Sequence, residues 1–368
     1  MSLRAERSGL WAAPLALAAG VLCFLGAKRL AAPHVAAPPH VAASAEPAPS
    51  PAEPEPEPEP SAAPSADPAP EDPAPGTLES ERARLLDVLT REQGLGEEGR
   101  RVVEDLLRRS PDLGQGNPEI SVHPMSRAEC RRVRAVERFV EGDASCGHPF
   151  MVRLRAGGQP TTVCIDQYEF PGVPCELPVV HVRASEAAAL CGALGKRLCD
   201  SHEWEGACTG ELAPPEAAYD FSRNRGDSNF FHNNKRARVW AYGPAKDHAR
   251  CATASFITPR CPGGGYGVCG SNTYPVGAFA GCVSPIGVYD QHGNVAEHMS
   301  LPLRPAELGG RGQTEMKGSW FAFGRTEAHA DDCNYRAPDW HPSTLDAPTS
   351  HKNYHLGFRC CAEAPTPR

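Results

Sequence analysis

The segment Gly287-Val-Tyr-Asp-Gln-His-Gly-Asn-Val-Ala-Glu297 carries two carboxylates in a stretch that predicts a tight turn. Gly293 and Asn294 are residue types that tolerate the left-handed backbone conformations of turns. Such a turn points main-chain carbonyl oxygens toward Asp290 and Glu297, and hard cations such as calcium are bound by oxygen ligands of this kind. The segment therefore suggests a calcium site, although an ordinary solvated Gly-Asn turn gives the same pattern.

The C-terminal half carries further motifs in a fixed order around this segment. They are His181-Val-Arg-Ala-Ser-Glu186 followed by Cys191, Gly195-Lys-Arg-Leu198, Glu203-Trp-Glu205 and Cys208, then Pro275-Val-Gly-Ala-Phe279, then, after the turn segment, Gly318-Ser-Trp320 and Gly357-Phe-Arg-Cys360. The ordered series resembles the formylglycine-generating enzyme family, the sulfatase-modifying-factor type of domain. The resemblance covers residues 148–363 and leaves 364–368 as a tail.

The resemblance implies an α+β, C-type-lectin-like fold with low regular secondary structure for its size. We expect the first helix of this domain over Ser185–Leu194, with Gly195 as its stop. The second helix should span Asp200–Cys208, because Asp200 and Glu203 have the spacing of a capping box.

An uncharged apolar run spans Leu10–Ala27, with basic residues on both sides. Its length is marginal for a membrane span and exceeds that of most signal-peptide cores. No small-x-small cleavage site follows before the Pro-rich tract, which favours an uncleaved signal anchor over residues 1–30; a cleaved signal peptide is the alternative. Either form predicts export, and the anchor predicts a single-pass membrane protein with its body in the periplasm or extracellular space.

Residues 31–76 contain Pro, Ala and eight acidic residues but no Lys or Arg. Such a sequence cannot bury a core and is expected to form an extended, disordered polyproline linker, either a stalk or a solubilising spacer. The eight acids account for the whole formal net charge of −8. The remainder of the chain is therefore balanced and gives no electrostatic reason to expect nucleic-acid binding.

Residues 77–147 are predicted to form a helical N-terminal region. Apolar periodicity predicts two short amphipathic helices within 78–109, separated by Gly94-Leu-Gly96. They would dock on the domain, pair with another chain or belong to a partner site. A third helix with a solvated charged face is expected over Arg127–Val140.

Fourteen of the fifteen cysteines lie outside the predicted anchor, and an even number in an exported body predicts disulfides. Zinc is the alternative, but no Cys-x-x-Cys pair is present. The resemblance implies the bridges Cys191–Cys360 and Cys208–Cys333, which close long loops. We infer the others, namely Cys199–Cys361, the local pairs Cys130–Cys146 and Cys164–Cys175, and pairing of Cys251, Cys261, Cys269 and Cys282 among themselves.

The resemblance also assigns calcium to the turn segment. The implied ligands are the side chains of Asp290 and Glu297 and the main-chain carbonyls of Gly293 and Val295. We therefore expect calcium as a cofactor. A second calcium site of the family is not expected, because only Asn229 matches it and no aspartate stands at the required distance.

Oxidising members of the family bind copper through two cysteines just after the Gly-Ser-aromatic motif, and a soft thiolate pair suits copper(I). Those positions are Ala322 and Glu327 here, the active-site tyrosine is replaced by Thr326, and an aromatic residue of the turn by Ala296. Ser319 is the single retained residue and the one catalytic candidate. Copper-dependent formylglycine formation at this site is not expected.

Another branch of the family uses iron held by a separate histidine-rich helical domain, and no histidine lies on the predicted N-terminal helices. A new metal site built from histidines has no fixed ligand spacing to support it, so scattered structural or surface histidines are the simpler interpretation. The histidines in question are His292, His298, His329, His341, His351 and His355.

Two classes of function remain open. The first is an exported, membrane-anchored, calcium-stabilised binding or accessory module that holds a peptide, glycan or partner protein. The second is a divergent oxidase or maturation enzyme of this family in the periplasm. Loss of both thiolates favours the first, and the fold itself does not decide between them.

Overall fold

The structure is a computed structural model that describes residues 76–338 and 342–365. The predicted signal anchor, the linker up to residue 75, His341 and the last three residues lie outside these ranges. Within the described part of the chain, no helix combines the length and the apolar character needed to cross a bilayer.

Two amphipathic helices form the start of the described chain, as the periodicity predicts. They are α1, Leu78–Glu92, and α2, Glu97–Arg109. The Thr77 side chain accepts a hydrogen bond from the Ser80 N–H and caps α1. The third helix, α3, is Arg127–Val136 and ends four residues before the predicted Val140, whose N–H instead donates to the Tyr289 hydroxyl.

Helices α1 and α2 dock on the domain, which decides among the three arrangements that the sequence leaves open. Leu89 and Val103 are fully buried in one apolar cluster with Leu190 and Phe358. The Gln93 side chain donates to the carbonyls of residues 171 and 172 and accepts from a buried lysine, residue 196. The N-terminal helices are thus an integral layer of the core, because burying their apolar stripes stabilises the fold.

The first sheet has four antiparallel strands in the order β1-β2-β7-β3. Its strands are β1, Met151–Ala156; β2, Gln159–Asp166; β3, Arg197–Leu198; and β7, Cys360–Glu363. Helix α4, Ala184–Ala193, precedes β3, and Gly195 takes a φ of +71° just after it. The predicted helix and its glycine stop are confirmed to within one residue.

Helix α5, Ser201–Thr209, begins after Asp200 as predicted. The Asp200 N–H donates to the Glu203 carboxylate, which is one half of the capping box. The Asp200 carboxylate accepts from the N–H groups of Gly309 and Gly310. The cap residue therefore also fixes a distant loop against the start of the helix.

The second sheet has three strands in the order β5-β4-β6, with β4 and β5 antiparallel and β4 and β6 parallel. They are β4, Ala296–Leu301; β5, Gln313–Lys317; and β6, Leu356–Phe358. Two more helices, α6, Pro215–Ala218, and α7, Arg225–Lys235, precede a long irregular stretch up to the turn segment. The result is the mixed helix and sheet architecture with little regular structure that the sequence predicts.

Seven disulfides connect all fourteen cysteines of the described residues. Three are the predicted long-range bridges, Cys191–Cys360, Cys199–Cys361 and Cys208–Cys333. The four cysteines expected to pair among themselves do so, as Cys251–Cys282 and Cys261–Cys269.

The local pairs Cys130–Cys146 and Cys164–Cys175 are wrong. The structure joins Cys130 to Cys175 and Cys146 to Cys164. Helix α3 buries Cys130 against the loop that carries Cys175. The β1–β2 hairpin returns Cys164 to the segment just before β1, where it shares an apolar cluster with Cys146. The predicted pairs joined cysteines that are close in sequence, whereas in the fold each of these cysteines packs against a different partner.

Candidate functional site

The turn segment is buried and tightly wound. Asp290, Gly293 and Asn294 all have positive φ angles, of +60°, +93° and +55°. A Cβ on Gly293 would lie 2.6 Å from the Ala252 carbonyl oxygen, so only glycine fits there. The Gly293 N–H donates to Ser319 Oγ at 2.8 Å. The alternative of a solvated Gly-Asn turn is therefore wrong.

Three fully buried carboxylates meet at this turn, those of Glu169, Asp290 and Glu297. Arg359 donates to both oxygens of Glu297, at 2.7 and 2.6 Å. Glu169 accepts from the Val295 N–H at 2.9 Å and from the Asn294 side chain at 2.6 Å. Asp290 Oδ2 accepts from a backbone N–H, and its Oδ1 has no partner in the described part of the molecule.

This carboxylate cluster, defined as Glu169, Asp290 and Glu297, places three buried acids beside the single guanidinium of Arg359. Burial, followed by repulsion from Asp290 and Glu297, raises the pKa of Glu169 well above its usual range. Burial raises the pKa of Asp290 to about 6. With all three ionised, an excess of two negative charges remains, so a divalent cation would restore neutrality. Oxygen atoms are the ligands that calcium prefers, and Asp290 Oδ1 has no partner among the described residues. The three carboxylates do not all come within 4.8 Å of one another, so main-chain carbonyls would have to complete a calcium site.

Glu169 is the residue that sequence reasoning missed. It follows β2 in the stretch Asp166-Gln-Tyr-Glu-Phe170, which looks like the end of an apolar strand. The sequence does carry one signal for Glu169, since it places this acid between two aromatic residues that are expected to be buried. A carboxylate is rarely fully buried without a cation or a hydrogen-bond donor beside it, so such an acid is a candidate site residue.

The positions that hold copper in oxidising relatives have no thiol in this structure. Ala322 is fully buried in an apolar cluster with Phe321 and Phe323. Glu327 is at the surface and pairs with Lys246 at 2.7 Å. Since every cysteine of the described residues is in a disulfide, none supplies the thiolate that copper(I) prefers.

Ser319 is fully buried and bridges two elements. It accepts from the turn and donates to Asp331 Oδ2 at 3.3 Å. His248 Nε2 lies 3.4 Å from the same Asp331 oxygen. This row of Ser319, Asp331 and His248 reaches from the turn toward the surface beside Glu327.

His292, within the turn, packs against the Cys208–Cys333 disulfide, with Nε2 3.3 Å from Cys208 Sγ. Burial lowers the pKa of His292 to about 4, so the ring is neutral at pH 7. Its Nε2 accepts the Ala241 N–H at 3.0 Å, which places the ring proton on Nδ1. His292 is therefore fixed in the core and lies apart from the other histidines.

Four histidines of the predicted set meet around one cavity of about 180 Å³: His298, His329, His351 and His355. We call this the sheet cavity. Its floor is one face of the second sheet, where pairing of Ala296 with Leu356 and of His298 with Met316 places these side chains together. Trp320 forms part of the wall.

The imidazoles of the sheet cavity do not form a metal centre. His298 Nε2 donates to the Val182 carbonyl at 3.0 Å, and burial lowers its pKa to about 4. Burial lowers the pKa of His355 to about 3. Within the described ranges, no three histidine nitrogens of the cavity converge closely enough to share an ion. A histidine metal site, left open by the sequence, has no support here.

The comparisons with known proteins agree with the motifs. Residues 161–364 match the sulfatase-modifying factor enzyme 1-like domain. Among curated proteins, an inactive Cα-formylglycine-generating enzyme 2 of Mus musculus is 28% identical over 195 residues, which cover 52% of this chain and 51% of the mouse protein. The chain thus spans about half the length of that relative.

Two solved structures are also similar to parts of the chain. CarF is 16% identical, with a TM-score of 0.27, over 50% of this chain and 68% of CarF. A major tropism determinant U1 variant is 12% identical, with a TM-score of 0.29, over 58% of this chain and 52% of its own. Because the family match covers more than half of the sequence, the chain belongs to the sulfatase-modifying factor, or formylglycine-generating enzyme, family.

Proposed function

We propose that this protein is a non-oxidising member of its family that acts as a binding or accessory module. The observation that carries this proposal is the chemistry at the two copper positions, where Ala322 lies in an apolar core and Glu327 is paired with Lys246. Neither side chain is a soft ligand, and neither site has a free thiol beside it among the described residues.

The similarity to the mouse protein also supports a non-oxidising function. Its name calls it inactive, and this chain is 28% identical to it over about half of each protein. A domain that has lost the redox ligands but kept the buried scaffold is suited to holding a ligand, since function depends on the site and not on the fold. We propose a peptide, glycan or partner protein as the ligand.

We propose that calcium is bound at the carboxylate cluster. The side chains of Asp290 and Glu297 would hold it with the main-chain carbonyls of Gly293 and Val295. Bound there, the ion would supply positive charge and no redox chemistry. This proposal draws support from the uncompensated buried charge and from the unpartnered Asp290 Oδ1.

Export and membrane anchoring are part of the same proposal. The seven disulfides favour an oxidising compartment, which means the periplasm or the extracellular space. The apolar run Leu10–Ala27 favours a single-pass anchor. The anchor and nearly all of the linker lie outside the described residues.

The alternative is a divergent enzyme of the family with altered chemistry. The row of Ser319, Asp331 and His248 supports it, because a hydroxyl, a buried carboxylate and an imidazole are groups that move protons. Ser319 donates to the carboxylate and not to the imidazole, so it is not set up as a nucleophile activated by a base.

The experiment that separates these functions is the metal content of the purified full chain. We expect about one calcium per chain and substoichiometric copper and iron by elemental analysis. Ala322→Cys/Glu327→Cys, which restores the thiol pair, is the matched comparison for copper uptake. Stoichiometric copper or iron in the unmodified protein would instead support the enzyme.

A further inference from the structure

The sheet cavity has an apolar floor, and aromatic side chains form part of its walls. Ala296, Met316 and Leu356 face it from the three strands of the second sheet. The His355 ring lies against Trp320 with 4.7 Å between ring centroids. Flat walls of this kind favour a flat occupant, because aromatic rings gain contact by offset stacking and the Met316 thioether also packs favourably on rings.

The size of the sheet cavity limits what it holds. Its volume is about 180 Å³, and an apolar cavity of about 150 Å³ is large enough to admit benzene. One small aromatic ring system therefore fits, whereas a peptide backbone or an oligosaccharide does not.

The side chains that line the cavity do not favour a charged ligand. No lysine or arginine of the described chain lines the cavity, so an anion finds no counter-charge there. Glu315 is the one acidic residue in the lining, and its carboxylate already accepts from Asn229 at 3.1 Å and faces Arg225 at 3.4 Å. Its histidines with low pKa values are neutral at pH 7.

One polar atom of the lining lacks a partner. His355 Nδ1 is buried and has no hydrogen-bond partner in the described part of the molecule. This nitrogen has almost no accessible surface, so an occupant of the cavity does not reach it, and the choice of occupant depends on shape and apolar contact.

We propose that the sheet cavity binds a single planar aromatic group, the indole or phenol ring of a partner's tryptophan or tyrosine. This inference rests on the proposed function, because it names the chemistry that the binding module recognises. The Trp320 and His355 rings pack against each other and would contact the occupant from the same wall of the cavity.

The test uses indole and phenol as probes, with cyclohexanol as the non-aromatic comparison, in calorimetric titrations of the full chain. We expect saturable binding of indole or phenol and at least tenfold weaker binding of cyclohexanol. Ala296→Leu fills the floor of the cavity and should weaken indole binding at least tenfold. Ala237→Leu makes the same change at an exposed position and should leave binding unchanged.

Two further variants keep the test decisive. If Ala296→Leu fails to fold, Met316→Trp fills the cavity from a partly exposed position. His355→Ala removes a ring that lines the cavity beside Trp320 and should weaken indole binding roughly fivefold. Absence of saturable indole and phenol binding, or equal indole binding by the filled variants, would overturn the proposal. Either result leaves the metal analysis untouched, so failure of this inference is distinguishable from failure of the proposed function.

Discussion

Arg359 donates two hydrogen bonds to Glu297, at 2.7 and 2.6 Å, and neither side chain is exposed to solvent. The same guanidinium also donates to the carbonyls of Asp166, Gln167 and Tyr289. The arginine of the last motif thus binds the acid of the turn segment and the end of β2. It connects both sheets through one side chain.

Replacing this arginine should strongly destabilise the protein. We expect Arg359→Met to lower the free energy of unfolding by about 3–5 kcal/mol, because it leaves a buried carboxylate without its cation. The measurement is urea denaturation under oxidising conditions. Arg304→Met is the control, since Arg304 is 76% exposed in its pair with Glu307 and such pairs contribute about 0–1 kcal/mol. Similar losses for both variants would contradict the prediction.

Removing an acid of the carboxylate cluster should remove calcium dependence. We expect a chelator to lower the melting temperature of the unmodified protein, since ligand at 100 times its Kd stabilises by about 2.7 kcal/mol. Asp290→Ala should melt lower and at the same temperature with and without chelator. Glu216→Ala, at an exposed carboxylate, should keep the full response. Chelator-independent melting of the unmodified protein would refute calcium binding at this turn.

Calcium affinity should weaken in acid. Burial raises the pKa of Asp290 from 3.8 to about 6, so the calcium-free folded protein keeps a proton that the unfolded chain loses. That contribution to stability is full below pH 4 and is lost as the pH rises through 6. Calcium needs the ionised carboxylate and should therefore bind up to about tenfold more weakly per pH unit below 6. Titrations at pH 5 and 7.5 test this, and an equal Kd at both would contradict it.

A buried histidine should make the protein less stable in acid. Burial lowers the pKa of His355 from 6.5 to about 3, so its contribution is full above pH 6.5 and is lost as the pH falls toward 3. We expect His355→Phe to reduce the pH dependence of the unfolding free energy by up to about 1.4 kcal/mol per pH unit in that window. Denaturation at pH 7.5 and 5 gives the slope. An unchanged slope would show that this ring is protonated in the folded protein.

Local signals in the sequence predict local structure well. The caps and glycine stops give α4 and α5 nearly to the residue, and Gly94-Leu-Gly96 separates α1 from α2. These features depend on neighbouring residues, which the sequence displays directly. The resemblance implied two of the long-range disulfides, Cys191–Cys360 and Cys208–Cys333. Of the pairs inferred without it, Cys199–Cys361 is confirmed and the two local pairs are wrong.

Contacts between distant elements are what the sequence does not show. Glu169 joins the carboxylate cluster only because β2 ends beside the turn. His298 lies on β4 and His355 just before β6, and the parallel pairing of these strands brings both to one cavity. No spacing along the chain encodes that pairing, because a parallel connection spans many residues.

Strand β7 begins with two adjacent cysteines that bridge in opposite directions, Cys360 to Cys191 and Cys361 to Cys199. These bridges span 169 and 162 residues, and β7 itself lies between β2 and β3 in the first sheet. The middle of that sheet is therefore made from residues that lie far along the chain from its neighbouring strands. A nascent chain halted before Cys360 cannot complete its core, so this domain can finish folding only after β7 has left the ribosome.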